Sequence, residues 1–153
     1  RGGFLFGARF TLDTVQSGMR WFVGMVNATA VIGNVNPSTL TNMFGFGIDA
    51  SQTTVRFFYN DGAGTASSVD LGVNFPATTV DVVYEIRLFS APNGSAIFYS
   101  IERLDSAQFS EGSVNTDIPA NTTLLSPQVW INNGATAAAV GVGIVTLYIE
   151  TDN

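Results

Sequence analysis

Three glutamates in mid-chain, strand-like segments, Glu85, Glu102 and Glu111, are the side chains best suited by type to acid–base chemistry. A glycosidase needs two carboxyl groups across a sugar, roughly 5–5.5 Å apart for retention and 6.5–9.5 Å for inversion. No Glu-x-Asp-x-x-Glu spacing occurs that would set such acids along one strand face. Glu102 is followed by Arg103, and Glu85 stands two residues before Arg87. If their strands form a hairpin, cross-strand ion pairs are the simpler expectation. The chain has no Cys, no His and no Lys. Those absences exclude Ser-His-Asp and Cys-His catalysis, Schiff-base lysines, disulfide frameworks, and zinc sites built on Cys or His. Asp49, Asn60, Asp61 and Asp70 offer oxygen ligands for calcium, but without the alternating acids around a glycine that a calcium loop uses. An ordinary turn is the expectation there. No catalytic residue, metal or cofactor is expected.

The aromatic residues carry the clearest binding signal. Tyr and Trp stack on the apolar face of a sugar ring while Asn, Asp and Arg bond its hydroxyls. Trp130 stands near Asn132 and Asn133 at the entrance to an expected turn, and Tyr59 stands beside Asn60 and Asp61 at another. These six residues are the candidate ligand-binding set. Trp21 lies inside an apolar run and is expected in the core. Asn27-Ala28-Thr29, Asn93-Gly94-Ser95 and Asn121-Thr122-Thr123 match the N-glycosylation pattern. A chain this rich in Asn, Ser and Thr reaches about that number by chance, so they carry no weight.

The elements that must hold such residues are strands. Phe4, Phe6, Ala8, Phe10 and Leu12 alternate with Leu5, Gly7, Arg9, Thr11 and Asp13, and a second alternation runs from Val80 to Phe89. A period of two marks half-buried strands. Met19 to Val26 and Val140 to Ile149 are apolar on both faces, which suits mid-sheet strands or a face covered by a partner chain. About ten strands are expected, near 3–13, 19–27, 43–50, 53–60, 67–73, 80–90, 96–104, 107–114, 123–132 and 139–150. Asn60-Asp61-Gly62 reads as a turn, and Asn93-Gly94 and Asn133-Gly134 read as hairpins. One helical turn is expected near Ser38 to Asn42, started by Pro37 and capped by Ser38. Gly141 and Gly143 share a face with Val145, Leu147 and Ile149 on this reading, making those three the candidate oligomer contact. The fold class is all-β, an antiparallel two-sheet β-sandwich of about ten strands, with a jelly roll as the first expectation.

A length of 153 residues with 46% hydrophobic side chains suits one domain over residues 1–153. Charged residues make up 12%, about half the usual share. A net charge of −6 attracts no phosphate backbone, so nucleic acid is not an expected partner. No apolar run approaches the 18 or so residues that cross a membrane. Arg1 leads directly into strand-like sequence, so the start is expected to be a cut within a longer polypeptide. The Ser, Thr and Asn surface suits an extracellular or virion-surface setting.

Several phrases belong together: Arg20-Trp21-Phe22-Val23-Gly24-Met25, Asn36-Pro37-Ser38-Thr39-Leu40-Thr41-Asn42, Asp70-Leu71-Gly72-Val73-Asn74-Phe75-Pro76, Pro119 to Leu125, and Tyr148-Ile149-Glu150-Thr151-Asp152. Along most of its length the chain resembles the C-terminal domains of bacteriophage tail fibres and related virion appendages. The resemblance implies a lectin-like jelly roll at the tip of a homotrimeric fibre, recognising a bacterial surface polysaccharide or lipopolysaccharide. It brings no catalytic residues. A non-enzymatic adhesin is the first expectation. A structural trimerisation cap or head-decoration domain is the second, and a polysaccharide depolymerase the third.

Overall fold

The computed structural model describes residues 3–152, so Arg1, where a cut is expected, lies outside the described residues. Among the described residues ten strands form: β1 Phe4–Thr14, β2 Arg20–Val26, β3 Met43–Ile48, β4 Arg56–Asn60, β5 Ser67–Asp70, β6 Val83–Ser90, β7 Ile97–Arg103, β8 Gln108–Val114, β9 Ser126–Asn132 and β10 Gly141–Thr151. They make two antiparallel sheets of five, sheet I in the order β10-β1-β6-β7-β8 and sheet II in the order β5-β4-β3-β2-β9. The sandwich expected from the period-two pattern is the fold observed.

The core follows that alternation. Phe6, Ala8, Phe10 and Leu12 of β1 point inward with Tyr84, Ile86 and Leu88 of β6, all buried. Aromatic contacts join the sheets: Phe4 stacks on Phe44 at 5.3 Å, Phe10 meets Trp21 at 5.5 Å, and Phe57 stacks on Tyr99 at 4.1 Å. Each fully buried Phe contributes about 1.5–3 kcal/mol through removal of its surface from water. Trp21 is a core residue as expected, its indole N–H donating to the Ala77 carbonyl at 3.1 Å.

Sheet II is buried on both faces at its centre, along β2 and β3, which explains the doubly apolar β2. Its outward side chains, Phe22, Val26, Met43 and Phe58, form a second cluster beneath Ile32 and Leu40 of the segment 27–42. That segment is strapped down at several points. Trp130 donates its indole N–H to the Ile32 carbonyl at 2.8 Å. Arg20 donates to the Asn36 and Asn34 side chains at 2.6 and 2.7 Å. Asn60 donates to the Leu40 carbonyl at 2.7 Å. Gly24 and Gly45 stand opposite each other beneath the Phe22 ring, and a Cβ on Gly45 would lie 2.6 Å from the Val23 carbonyl.

Four local expectations are corrected. Asn93-Gly94 does turn the β6–β7 hairpin, but Asn133-Gly134 turns none, because β9 belongs to sheet II and β10 to sheet I. Asn132 Oδ1 accepts from the Gly134 N–H at 2.7 Å, a self-contained turn whose geometry does not dictate which sheet the next strand joins. Pro37 starts a single 3-10 turn, Pro37–Thr39, but Asn36 rather than Ser38 occupies the cap position. The Ser38 N–H instead donates to Asp49 Oδ1 at 3.1 Å. Strand β10 is an edge strand, not mid-sheet. Its register jumps from Arg9↔Thr146 to Phe10↔Ile144, leaving Val145 as a bulge. The bulge reverses the alternation, so Gly143 shares the outward row with Thr11 while Leu147 and Ile149 share the inward rows of Ala8 and Phe6. The two glycines and three aliphatics therefore do not form one face. Val145, Leu147 and Ile149 are nevertheless exposed along this edge.

Candidate functional site

The six residues proposed from sequence divide between opposite ends of sheet II. Asn132 pairs with Arg20 at the start of β2, whereas Asn60 pairs with Met43, which pairs with Val26 at the end of β2. A seven-residue strand separates the two ends by roughly 20 Å. At the first end, Trp130 is half-buried with its N–H committed to the strap. Asn132 holds its turn, and Asn133 donates to the Ala138 carbonyl at 3.0 Å while its own carbonyl accepts from Gln16. At the second end, Tyr59 faces inward and stacks on Phe57 at 5.8 Å. Asn60 is fully buried, donating to Leu40 and Gly64. Asp61 alone is exposed, with Oδ1 accepting from the Ala63 N–H at 2.8 Å.

The second end carries a built hollow. Asn42 adopts a left-handed φ of 49°, which Asn tolerates better than other residues with a side chain, and its carbonyl accepts from the Asn27 N–H at 2.9 Å. Asp117, also left-handed at φ 52°, accepts from the Asp61 and Ser67 N–H groups at 3.2 and 3.3 Å. That carboxylate ties the β8–β9 crossing to the β4–β5 turn. Ser126 donates to the Val26 and Ala28 carbonyls, both at 3.3 Å. Between these ties lies a hollow of about 460 Å³, lined by Asn27, Thr29, Asn42, Thr122, Thr123 and the exposed Leu124 among others.

Its chemistry is neutral. The side chains of Asn27, Thr29, Asn42, Thr122 and Thr123 hydrogen-bond no other described residue. An amide both donates and accepts, as does a hydroxyl, so the set can match a ligand carrying several hydroxyls. None of the lining side chains titrates, and Asp61 stands nearby. The hollow's volume lies within the range of small-ligand sites. Sequence reasoning gave Asn27 and Asn121 to Thr123 only a discounted modification pattern. Nothing in the sequence shows that residues 27, 42 and 122–123 meet, because the β8–β9 crossing brings them together.

The glutamates lie elsewhere, on the outward face of sheet I. Register sets Glu85 directly opposite Glu102, and Glu111 opposite Ser100. The expected ion pairing holds for Glu85 but with different geometry. Arg9 on β1 donates to Glu85 Oε2, and Arg87 on the same strand donates to Oε1 at 2.8 Å. Glu102 meets no arginine among the described residues, since Arg103 turns to Asp105 at 2.7 Å. The hydrogen bonds from Arg9 and then Arg87 hold the Glu85 carboxyl below the ordinary carboxylate range. That shift is opposite to the one a proton-donating catalytic acid needs.

No protein-family model matches the sequence, and no curated protein matches it. Solved structures do match in shape. Peanut lectin with a nine-residue peptide superposes with a TM-score of 0.63 at 10% identity, covering 98% of this chain and 71% of that one. The lectin UEA-II complexed with galactose gives 0.65 at 9% identity, over 99% and 73%. An alginate lyase from Pseudomonas aeruginosa gives 0.56 at 8% identity, over 99% and 66%. At such identities the likeness establishes the lectin-type sandwich fold.

Proposed function

We propose that this domain binds a neutral glycan without cleaving it, through the hollow formed by Asn27, Thr29, Asn42, Thr122, Thr123 and Leu124. The carrying observation is the uncharged set of uncommitted amides and hydroxyls at one end of a rigid sandwich. The galactose complex of the similarly folded UEA-II lectin supports the ligand class. Asp61 beside the hollow and the net charge of −6 disfavour acidic sugars. The resemblance to phage tail-fibre domains supports a setting on the virion. There the domain is the tip of a homotrimeric fibre within a longer protein, and it recognises lipopolysaccharide or capsule on a bacterium. Three copies raise a weak affinity per site through effective concentration.

A glycan array probed with the chain displayed multivalently tests this reading. Binding to neutral bacterial surface glycans, lost in Asn27→Ala, is expected. A folded, multivalent sample that binds no glycan overturns it. The alginate lyase likeness raises a depolymerase alternative, for which shortened polysaccharide chains after long incubation are the signature. Unchanged chain length is expected.

A further inference from the structure

We infer that the hollow beside Asn42 selects N-acetylhexosamines over the parent hexoses, an inference that rests on the glycan reading above and names the substituent the site recognises. Val26, Ala28 and Leu125 give the hollow an aliphatic lining, and Leu124 stands beside them 87% exposed. Among the described residues no aromatic side chain lines it. A plain hexose presents hydroxyls at its rim and a C–H face that packs well on an aromatic ring. The hollow has partners for the hydroxyls but no ring for the C–H face. Its aliphatic groups instead suit a methyl, whose transfer out of water is favourable.

The amides determine which methyl. The Asn27 N–H donates to the Asn42 carbonyl at 2.9 Å, just beyond the last register pair of β2 and β3, Val26↔Met43. Asn27 and Asn42 therefore stand side by side at the ends of neighbouring strands. Neither side-chain amide has a hydrogen-bond partner among the described residues. One amide matches another, each giving an N–H and a carbonyl. An acetamido group carries a carbonyl, an N–H and a methyl on one substituent. Its polar half meets Asn27 or Asn42 while its methyl meets the aliphatic groups of Ala28, Leu124 and Leu125. A hydroxyl in the same place reaches the amides but leaves the aliphatic surface in water. A deoxy sugar such as fucose brings the methyl without the amide. A free amine such as that of glucosamine is drawn by the charge of Asp61 nearby, and acetylation removes that attraction.

Inhibition of binding to an array-identified glycan by free sugars tests the inference, with the chain displayed multivalently. The inhibitors are N-acetylglucosamine, N-acetylgalactosamine, glucosamine, glucose, galactose and fucose. At least one acetylated sugar is expected to inhibit at a concentration at least about tenfold below that of its parent hexose, the gain from one buried methyl and one added hydrogen bond. Saturation-transfer NMR on that sugar should give its strongest signal on the acetamido methyl. Leu124→Ala, at a position too exposed to move the melting transition, is expected to cut the preference by about threefold or more. Hexoses or fucose inhibiting as well as the acetylated sugars, glucosamine inhibiting better than its acetylated form, or a preference untouched by Leu124→Ala would each overturn the inference and leave the glycan reading standing. A blank array from a folded, multivalent sample overturns the glycan reading and the inference with it.

Discussion

Replacing Asn42 separates the two tasks assigned to it, shaping the loop and meeting the ligand. Its φ of 49° is left-handed, so Asn42→Ala forces an ordinary side chain into a conformation costing about 1 kcal/mol or more. For a chain of this size that lowers the melting temperature by about 2–4 °C. Asn42→Gly removes the same amide but adopts the same φ without strain, so its melting temperature should stay near that of the parent. Both variants lose the amide's bonds to the sugar. One neutral hydrogen bond contributes about 0.5–1.5 kcal/mol, so affinity should fall roughly two- to thirteenfold in each. Calorimetric titration with a glycan found on the array, alongside thermal melts, reads both quantities. If Asn42→Gly melts like the parent and binds sugar equally well, the amide does not face the ligand and the assignment of the hollow fails.

Other outcomes follow from the same geometry. Trp130→Phe removes the indole N–H from the Ile32 carbonyl and should cost about 1 kcal/mol in denaturant unfolding, with sugar affinity unchanged. Gly45→Ala drives a Cβ to 2.6 Å from the Val23 carbonyl and should cost at least about 2 kcal/mol, whereas Gly33→Ala meets nothing within 4 Å and should change stability by less than about 0.5 kcal/mol. Arg9 and Arg87 depress the folded-state pKa of Glu85, so the stability this contributes is present above the unfolded value of about 4 and is lost as pH falls through the folded one. Glu85→Gln should therefore flatten part of the acid limb of a stability-versus-pH curve; an unchanged limb would refute the coupling. Expression in a glycosylating host should place glycans on the exposed Asn27 and Asn121, at the hollow and at its edge, and abolish the binding shown by the unglycosylated chain.

The fold was legible because its information is local. Alternation along Phe4 to Leu12 and along Val80 to Phe89 assigns a buried face to each strand without knowledge of its neighbours. Sheet membership is not local. Asn133-Gly134 has the residues of a hairpin turn, yet it crosses between sheets because the free edge beside β1 accepts β10. The bulge at Val145 was equally silent, since one extra residue changes every face assignment beyond it without changing composition. The apolar run of β2 left the middle of a packed sheet and a face covered by a partner chain both open; β2 lies mid-sheet, and its outward face is covered by the segment 27–42 through Ile32 and Leu40. The binding residues were the least legible. Aromatics near turns drew attention to Trp130 and Tyr59, but both side chains are committed to packing. Asn27, Asn42 and Thr123 are ordinary loop residues until the β8–β9 crossing places them around one hollow.

The most direct measurement is a two-dimensional NMR titration of the labelled chain with a neutral oligosaccharide that the array identifies. The account predicts that the largest shifts fall on the backbone and side-chain amides of Asn27, Asn42 and Thr122 to Leu124, with sheet I undisturbed. Shifts centred on Arg87, Phe98 and Tyr148 instead would place the sugar on the outward face of sheet I and would contradict the central claim.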